Sequence, residues 1–337
     1  MRPHLILTIF SCSVIGIIAI IFIYNLQPPV FSSNNQISIE IPQKSSFSEI
    51  AEKLNQSELI RSKTAFKIYS LLAGRAHLFK PGKYFFPSAN ESGLSAPELT
   101  KILVAGPKEI PIIIYPGMTL KEIDERLANS GIIQKNELLN FDANSLKNNY
   151  PWLPFKNNLK NTLEGFLLPD TYYFFPVTGP DLTIQKILDN FELRALPFLN
   201  GNVNILKTLT LASLLEKEIP DNNEKRIAAG ILEKRLSVGM PLQIDATIIY
   251  IKCEGRFLNC PALSKEDYKI DSPYNTYLSK GLPIAPISNP SLETIKAAMK
   301  PIKTNYWYYL SDPKTKKTIF SETLDKHNQN RVKYLNR

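Results

Sequence analysis

The stretch LASLLEKEIP, residues 211–220, ends an apolar helical run in two carboxylates, Glu216 and Glu218, just ahead of Pro220. On a helix turning about 100° per residue, Leu211, Leu214 and Leu215 all fall within roughly 60° of Glu218, whereas Glu216 falls about 160° away. Glu218 therefore prolongs the leucine stripe into the interior. Glu216 leaves the stripe for the other side, where a Glu216→Gln change is expected to cost little. A carboxyl bordered by apolar side chains loses solvation of its anion, so it holds its proton nearer neutral pH. That is what a general acid needs to cleave a glycosidic bond. The competing reading is a last helical turn frayed in front of Pro220, with Glu218 in water.

Three further segments carry groups suited to a saccharide cleft. LEGFLLPDTYYF (163–174) sets aromatics around Glu164 and Asp170. LQIDATIIY (242–250) offers Gln243, Asp245 and Thr247 at strand spacing, although Asp245 could equally cap a following helix. SPYNTYLSKGLPIAPISNP (272–290) mixes amide, hydroxyl, aromatic and turn residues, among them Tyr274 and Asn275. Amides and hydroxyls bond sugar hydroxyls and acetamido groups, and tyrosine rings stack on sugar faces. Core packing accounts for the tyrosines taken alone. No Gly-rich phosphate loop, Gly-x-Ser-x-Gly or HExxH is present, and three histidines leave little room for a Ser-His-Asp triad or a histidine zinc site.

The elements that must hold these groups are read outward from them. Helices are expected at 205–218 and 224–238, the second ending at Gly239. Upstream, Ile37–Ile60 aligns without gaps on Ile110–Ile133, with nine of 24 positions identical. Each copy reads as a strand, a turn and a helix opened by a capping box, Ser46-x-x-Glu49 and Thr119-x-x-Glu122. The first copy continues through a helix around Thr64–Ala73, a strand in KPGKYFFP and a helix after Ser95. This order resembles LysM-type glycan-binding folds, with a boundary near Gly106-Pro107.

The first residues set the location. Leu5–Tyr24 carries no charge and is long enough to span a bilayer, exceeding an ordinary signal-peptide core. Arg2 precedes it and no Lys or Arg follows until Lys44, so the positive-inside rule puts the bulk of the chain outside the cytoplasm. A cleaved signal peptide is the alternative. The net charge of +9 favours anionic partners such as phospholipid or acidic wall polymers. Nucleic acid is not among the expected partners, since no basic block stands beside aromatics. Cys12 lies in the apolar stretch. Cys253 and Cys260 either close a small loop, which an oxidising compartment allows, or remain two thiols.

LEGFLLPDTY, ASLLEKE, GMPLQIDATIIY and SPYNTY…GLP resemble, in order, the signature blocks of the MltG (YceG-like) endolytic murein transglycosylase family. WYYLSD…F…T…HN is similar to its C-terminal block. The resemblance implies an α+β protein made of a single N-terminal transmembrane helix, a small LysM-like α+β module and a larger α+β catalytic domain. The boundaries expected are a cytoplasmic tail 1–4, anchor 5–25, tether 26–36, LysM-like module 37–108 and catalytic domain 109–337. It implies Glu218 as the catalytic acid and Glu164, Gln243, Asp245, Thr247, Tyr274 and Asn275 as substrate-binding positions, with no metal and no cofactor. The implied substrate is the peptidoglycan glycan strand, cut at the plasma (inner) membrane on its extracytoplasmic or periplasmic side, and the synthase it works beside is left open. Two positions depart from the family pattern: Ile219 stands where Thr is usual after the acid, and Asp245-Ala246-Thr247 replaces Asp-Pro-Thr. A hydrolytic muramidase and a catalytically inactive glycan-binding scaffold are the rival readings.

Overall fold

The computed structural model describes residues 3–29, 37–86, 94–154, 163–176, 178–199 and 204–335, with the side chains of 3–11 outside the description. The chain forms two compact units, Met1–Ile110 with Phe175–Val177, and Pro111–Phe174 with Thr178–Arg337.

In the first unit α1 (Pro3–Leu26) leads to β1 (Ile37–Ile41), α2 (Phe47–Gln56), α3 (Lys63–Leu72), β2 (Gly82–Phe86) and α4 (Ala96–Ala105). Strands β1 and β2 pair antiparallel, Ile37 opposite Phe86 and Ile41 opposite Gly82. The alternating isoleucines put Ile39 and Ile41 inward, onto Leu54, Phe66, Tyr84, Phe86, Leu99 and Leu103. The Tyr84 hydroxyl, buried with this core, donates to the Lys80 carbonyl at 2.6 Å. Arg61 ties the end of α1 to this unit, donating to the Pro28 carbonyl at 2.7 Å with its guanidinium 4.4 Å from the Tyr24 ring centroid. The expected anchor falls on α1, and its residues 5–11 lie outside the described side chains. Among the described residues no helix is long and apolar enough to cross a membrane. Of the expected tether, 30–36 lies outside the described residues.

The second unit opens with the same scaffold. β3 (Ile110–Ile114) and α5 (Leu120–Asn129) repeat β1 and α2 residue for residue at the spacing of the sequence repeat, with the same inward pattern along the strand. Both capping boxes form, through Ser46 with Glu49 and Thr119 with Glu122. The helices also end alike: Glu58 and Gly131 take the left-handed conformation, and Leu59 and Ile132 return their N–H groups to Leu54 and Leu127. The likeness runs beyond the aligned stretch. β4 (Asp170–Phe174) pairs with β3 as β2 pairs with β1, and buried Tyr172 donates to the Leu168 carbonyl at 2.6 Å, as Tyr84 does to Lys80. One core position differs in kind. Asp124 replaces Ala51 and is fully buried, accepting the N–H groups of Asn136 and Leu138 at 2.7 and 2.9 Å. The carboxylate thereby closes the loop that leaves α5, a job the first copy lacks.

α6 (Pro180–Arg194) and the short α7 (Leu196–Leu199) follow, with Phe191 of α6 stacked on Trp152 at 5.2 Å. Then α8 (Ile205–Glu218) packs against α9 (Asn222–Ser237) and α11 (Leu292–Met299), with α10 (Asp245–Lys252) between them in sequence. A hairpin of β5 (Tyr308–Ser311) and β6 (Thr318–Ser321), covered by α12 (Leu324–Leu335), completes the unit. The strand spacing read at 242–250 is overturned from Asp245 onward, where the chain is helical. Asp245 occupies the first helical turn, where a carboxylate meets free N–H groups. Gly230 marks the tightest approach, since a Cβ there would stand 1.9 Å from the Ile302 carbonyl oxygen that crosses α9. Gly230→Ala should therefore destabilise the protein by about 3 kcal/mol or more, read by urea denaturation, because neither backbone can give way.

Candidate active site

Helix α8 is capped by Asn204, which accepts the Lys207 N–H at 3.0 Å, and every residue from Leu209 to Leu215 is buried. Its polar residues are satisfied internally: Ser213 donates to the Thr210 carbonyl and accepts the N–H of Ile287 at 3.0 Å. The helix is thus enclosed around its circumference, and this decides what becomes of its two acids.

Glu216 does leave the leucine stripe, but it does not reach water. Its side chain is 7 % exposed and pairs at 2.8 Å with Lys225 of α9, itself 4 % exposed. Its second oxygen accepts the N–H and hydroxyl of Ser291, at the start of α11, at 2.7 and 2.8 Å. Lys225 also donates to Thr294 at 2.7 Å. Burial alone would raise the Glu216 carboxyl, but the bonds and charge of Lys225, with Thr294 and Ser291, hold it below the ordinary value. The far side of the stripe is a second interior face, so the ground for expecting Glu216→Gln to cost little is absent.

Glu218, two residues later, opens on a cavity of about 920 Å³. Its carboxyl is pushed up to about 7, first by burial and then by the charge of Asp245, against a bond from the Ala246 N–H at 3.3 Å. The helix stops there because Ile219, extended and buried, turns the chain away, while Ser311 of β5 donates to the Glu218 carbonyl at 3.1 Å. Isoleucine in that position therefore serves as an apolar plug behind the acid.

Gln243 and Asp245 line the same cavity, and Gln243 is held in a left-handed conformation by its N–H bond to the Thr276 carbonyl. The other candidates stand behind the wall. Thr247 is buried, bonding the Ile244 carbonyl and the Thr276 hydroxyl at 2.7 and 3.0 Å. Asn275 is buried and stitches its own loop, donating to Tyr268 and Ile270 carbonyls and accepting the Tyr277 N–H. Tyr274 packs on Tyr250 at 5.1 Å between ring centroids. Glu164 is 3 % exposed and accepts the Leu120 N–H, the Tyr250 hydroxyl at 3.3 Å and the Asn289 amide at 2.9 Å. Burial pushes its carboxyl up to about 8, opposed by Leu120 and Tyr250.

Residues that sequence reasoning did not single out complete the cavity. The Tyr277 hydroxyl donates to Asp245, fixing that carboxylate beside the acid. Burial and the Glu218 charge push the Tyr309 phenol up, so it stays a donor facing the site. Arg235 reaches the cavity from α9, held by the Trp307 and Leu242 carbonyls at 2.8 Å each. Tyr277 and Tyr309 lay inside stretches already marked as unusual. Arg235 gave no signal, because on a charged helix it looks like any solvated side chain. Cys253 and Cys260 are joined as a disulfide.

Two acids two residues apart thus face opposite ways and are shifted in opposite directions, the pattern that separates a structural carboxylate from a working acid. Glu216→Gln should lower stability by about 3–5 kcal/mol in urea melts by stranding buried Lys225, and Lys225→Met should restore much of it. Glu218→Gln should instead change the pH dependence. Its carboxyl is raised above 4.5, so the folded state holds a proton that the unfolded chain releases, and stability falls as pH rises from 4.5 to about 7. The variant should lose that part of the slope.

Set beside known proteins, the chain matches the model of the YceG-like family over residues 39–333. It is 30% identical over 331 residues to the endolytic murein transglycosylase of Bacillus subtilis (strain 168), covering 92% of this chain and 88% of that protein. The endolytic murein transglycosylase of Streptococcus pneumoniae serotype 2 is 26% identical over 342 residues, and the match spans 93% of this chain but 61% of that longer protein. A crystal structure of a yceG-like protein from Listeria monocytogenes superposes with a TM-score of 0.58 at 28% identity, covering 88% of this chain and 100% of that one.

Proposed function

The chain belongs to the YceG-like family, and on that footing we propose that it is a membrane-anchored endolytic lytic transglycosylase of peptidoglycan. It cuts the β-1,4 bond between MurNAc and GlcNAc within glycan strands and leaves 1,6-anhydroMurNAc ends, limiting the length of new strands. The observation that carries this reading is the half-buried Glu218, raised to about 7 and open to a cavity walled by Gln243, Asp245 and Tyr277. Protonated Glu218 gives its proton to the glycosidic oxygen as the bond to C1 breaks. The carboxylate left behind takes the proton of the C6 hydroxyl as that oxygen closes on C1. The proton count balances over the cycle and no enzyme nucleophile is needed. Asp245, held by Tyr277, faces the positive charge that develops on the sugar ring. Glu164, Thr247, Tyr274 and Asn275 act by holding the loops that carry these groups.

Asp245 also favours a second reading, hydrolysis, because a carboxylate near the acid can activate water or serve as nucleophile. Mass analysis of fragment ends from purified sacculi separates the two: anhydro ends support the lyase and reducing ends the muramidase. Glu218→Gln should abolish release in either case, since it keeps the shape and removes the transferable proton. For the parent, kcat/KM should fall as pH rises through about 7, where Glu218 loses that proton.

The domain arrangement is part of the proposal: residues 37–108 as a LysM-like glycan-binding module and 109–337 as the catalytic domain. The β–α–α–β order of the first unit supports the module. The uncharged Leu5–Tyr24, on a 24-residue helix, supports an anchor with the N-terminus in, and the disulfide suits an extracytoplasmic location. Membranes washed with high salt or carbonate should retain the full-length protein; a soluble form beginning near Ser32 would show that the segment is removed.

A further inference from the structure

A second cavity, of about 1020 Å³, lies between the β3–α5 corner and the loop closed by Cys253 and Cys260. That size is ample for a small-molecule or saccharide site. Its inner wall carries Tyr115, 49 % exposed, with the Arg126 guanidinium 5.0 Å from the ring centroid. Asn129 and Asn259 bring amides to the rim, and Leu258 stands on the lip with 78 % of its surface in solvent.

The lip is irregular backbone, yet it is fastened at four places besides the disulfide. Thr119 donates to the Gly255 carbonyl at 2.6 Å, and Glu122 accepts the Phe257 N–H at 3.0 Å. Arg256 pairs with Glu125, and Lys121 with Glu254. Every one of those fastenings starts on α5 or its cap, so the loop is built onto the repeated scaffold. These fastenings fix where Leu258 stands on the lip of the cavity.

The first copy of the scaffold gives an internal comparison. At the counterparts of Tyr115, Met118, Arg126 and Asn129 it carries Pro42, Ser45, Lys53 and Gln56. There Lys53 bonds the Glu40 carbonyl at 2.8 Å, which closes the corner over its own strand. The second copy has exchanged that closure for an aromatic ring, a guanidinium resting on it and a disulfide-bound lip.

Lys217 lines the Glu218 cavity, and its ammonium sits 3.4 Å from the ring centroid of Phe257, between two residues of the second cavity's lip. That contact links the wall of one hollow to the lip of the other. We propose that the second cavity is a saccharide-binding site that holds a remote stretch of the same glycan strand while Glu218 acts on another. An exposed tyrosine face, amides at the rim and an apolar lip match the alternating C–H face and equatorial polar groups of linked aminosugars. This rests on the glycan-cleaving reading for the identity of the strand, and the two can be tested apart.

The test uses the full chain with Glu218→Gln to prevent turnover and Leu258→Trp as a fluorescent reporter on the lip. Titration with a peptide-free GlcNAc–MurNAc octasaccharide should give a saturable change in indole emission. Tyr115→Ala should weaken that binding about tenfold, the loss expected when a central aromatic contact is removed. Tyr115→Phe, which keeps the ring, should bind like the parent and shows that the alanine effect is not misfolding. An absent response, or one that Tyr115→Ala leaves unmoved, overturns the site. Cleavage of sacculi by the native chain is scored separately. If it fails while the indole still responds, the catalytic reading falls and the saccharide site stands.

Discussion

From Leu209 to Leu215 helix α8 has no solvent face, and the behaviour of the site follows from that constraint. A carboxylate on an enclosed helix must either find a cation or give up its charge. Glu216 meets Lys225, Ser291 and Thr294, and by doing so joins α8, α9 and α11 in one buried network. Glu218 meets Asp245 instead, a like charge, at the mouth of a cavity. The same short sequence thus yields one carboxyl lowered by a buried cation and one raised toward neutrality, separated only by what each face of the helix touches.

The acid's position is set by groups around and behind the cavity wall. Ser311 fixes the carbonyl of Glu218, Ile219 buries the turn behind it, and the N–H of Ala246 at the start of α10 meets its carboxyl. Thr247 and Thr276 lock the start of α10 to the 272–278 loop, whose Tyr277 orients Asp245. Glu164 joins the start of α5 to Asn289, which in turn accepts the N–H groups of Gly165 and Leu167 at 2.9 Å. Such buried polar links cost free energy if half satisfied, and here they have their partners. They define where two loops and three helices end, which is what a reacting group needs held still.

The duplicated strand–helix scaffold shows how a change of a few side chains redirects a fold. Its isoleucine alternation, capping box and left-handed helix exit recur in both copies. Asp124 in place of Ala51 lets the second copy carry a different exit loop, and the disulfide loop is fastened onto its helix. Backbone geometry was kept while the outer corner was rebuilt.

Local rules made much of this legible in the sequence. The period of Ile37–Ile41 and Ile110–Ile114, the caps Ser46 and Thr119, and the bounds of α8 follow from interactions within a few residues, so they could be read without a fold. The placing of Glu218 was also legible, because it shares a stripe with its own leucines. What lies across the chain could not be read. A helical projection shows which residues share a face but not whether that face meets water, so the burial of Glu216 is not legible in it. The partners that bury it come from residues 225, 291 and 294. Glu164, Thr247 and Asn275 are buried behind the cavity wall and do not line it, since burial depends on segments remote in sequence. Arg235 and Tyr309 joined the site for the same reason. Local pattern settled which elements form, and only the packing of distant segments decided which polar groups lost their water and which kept a cavity open.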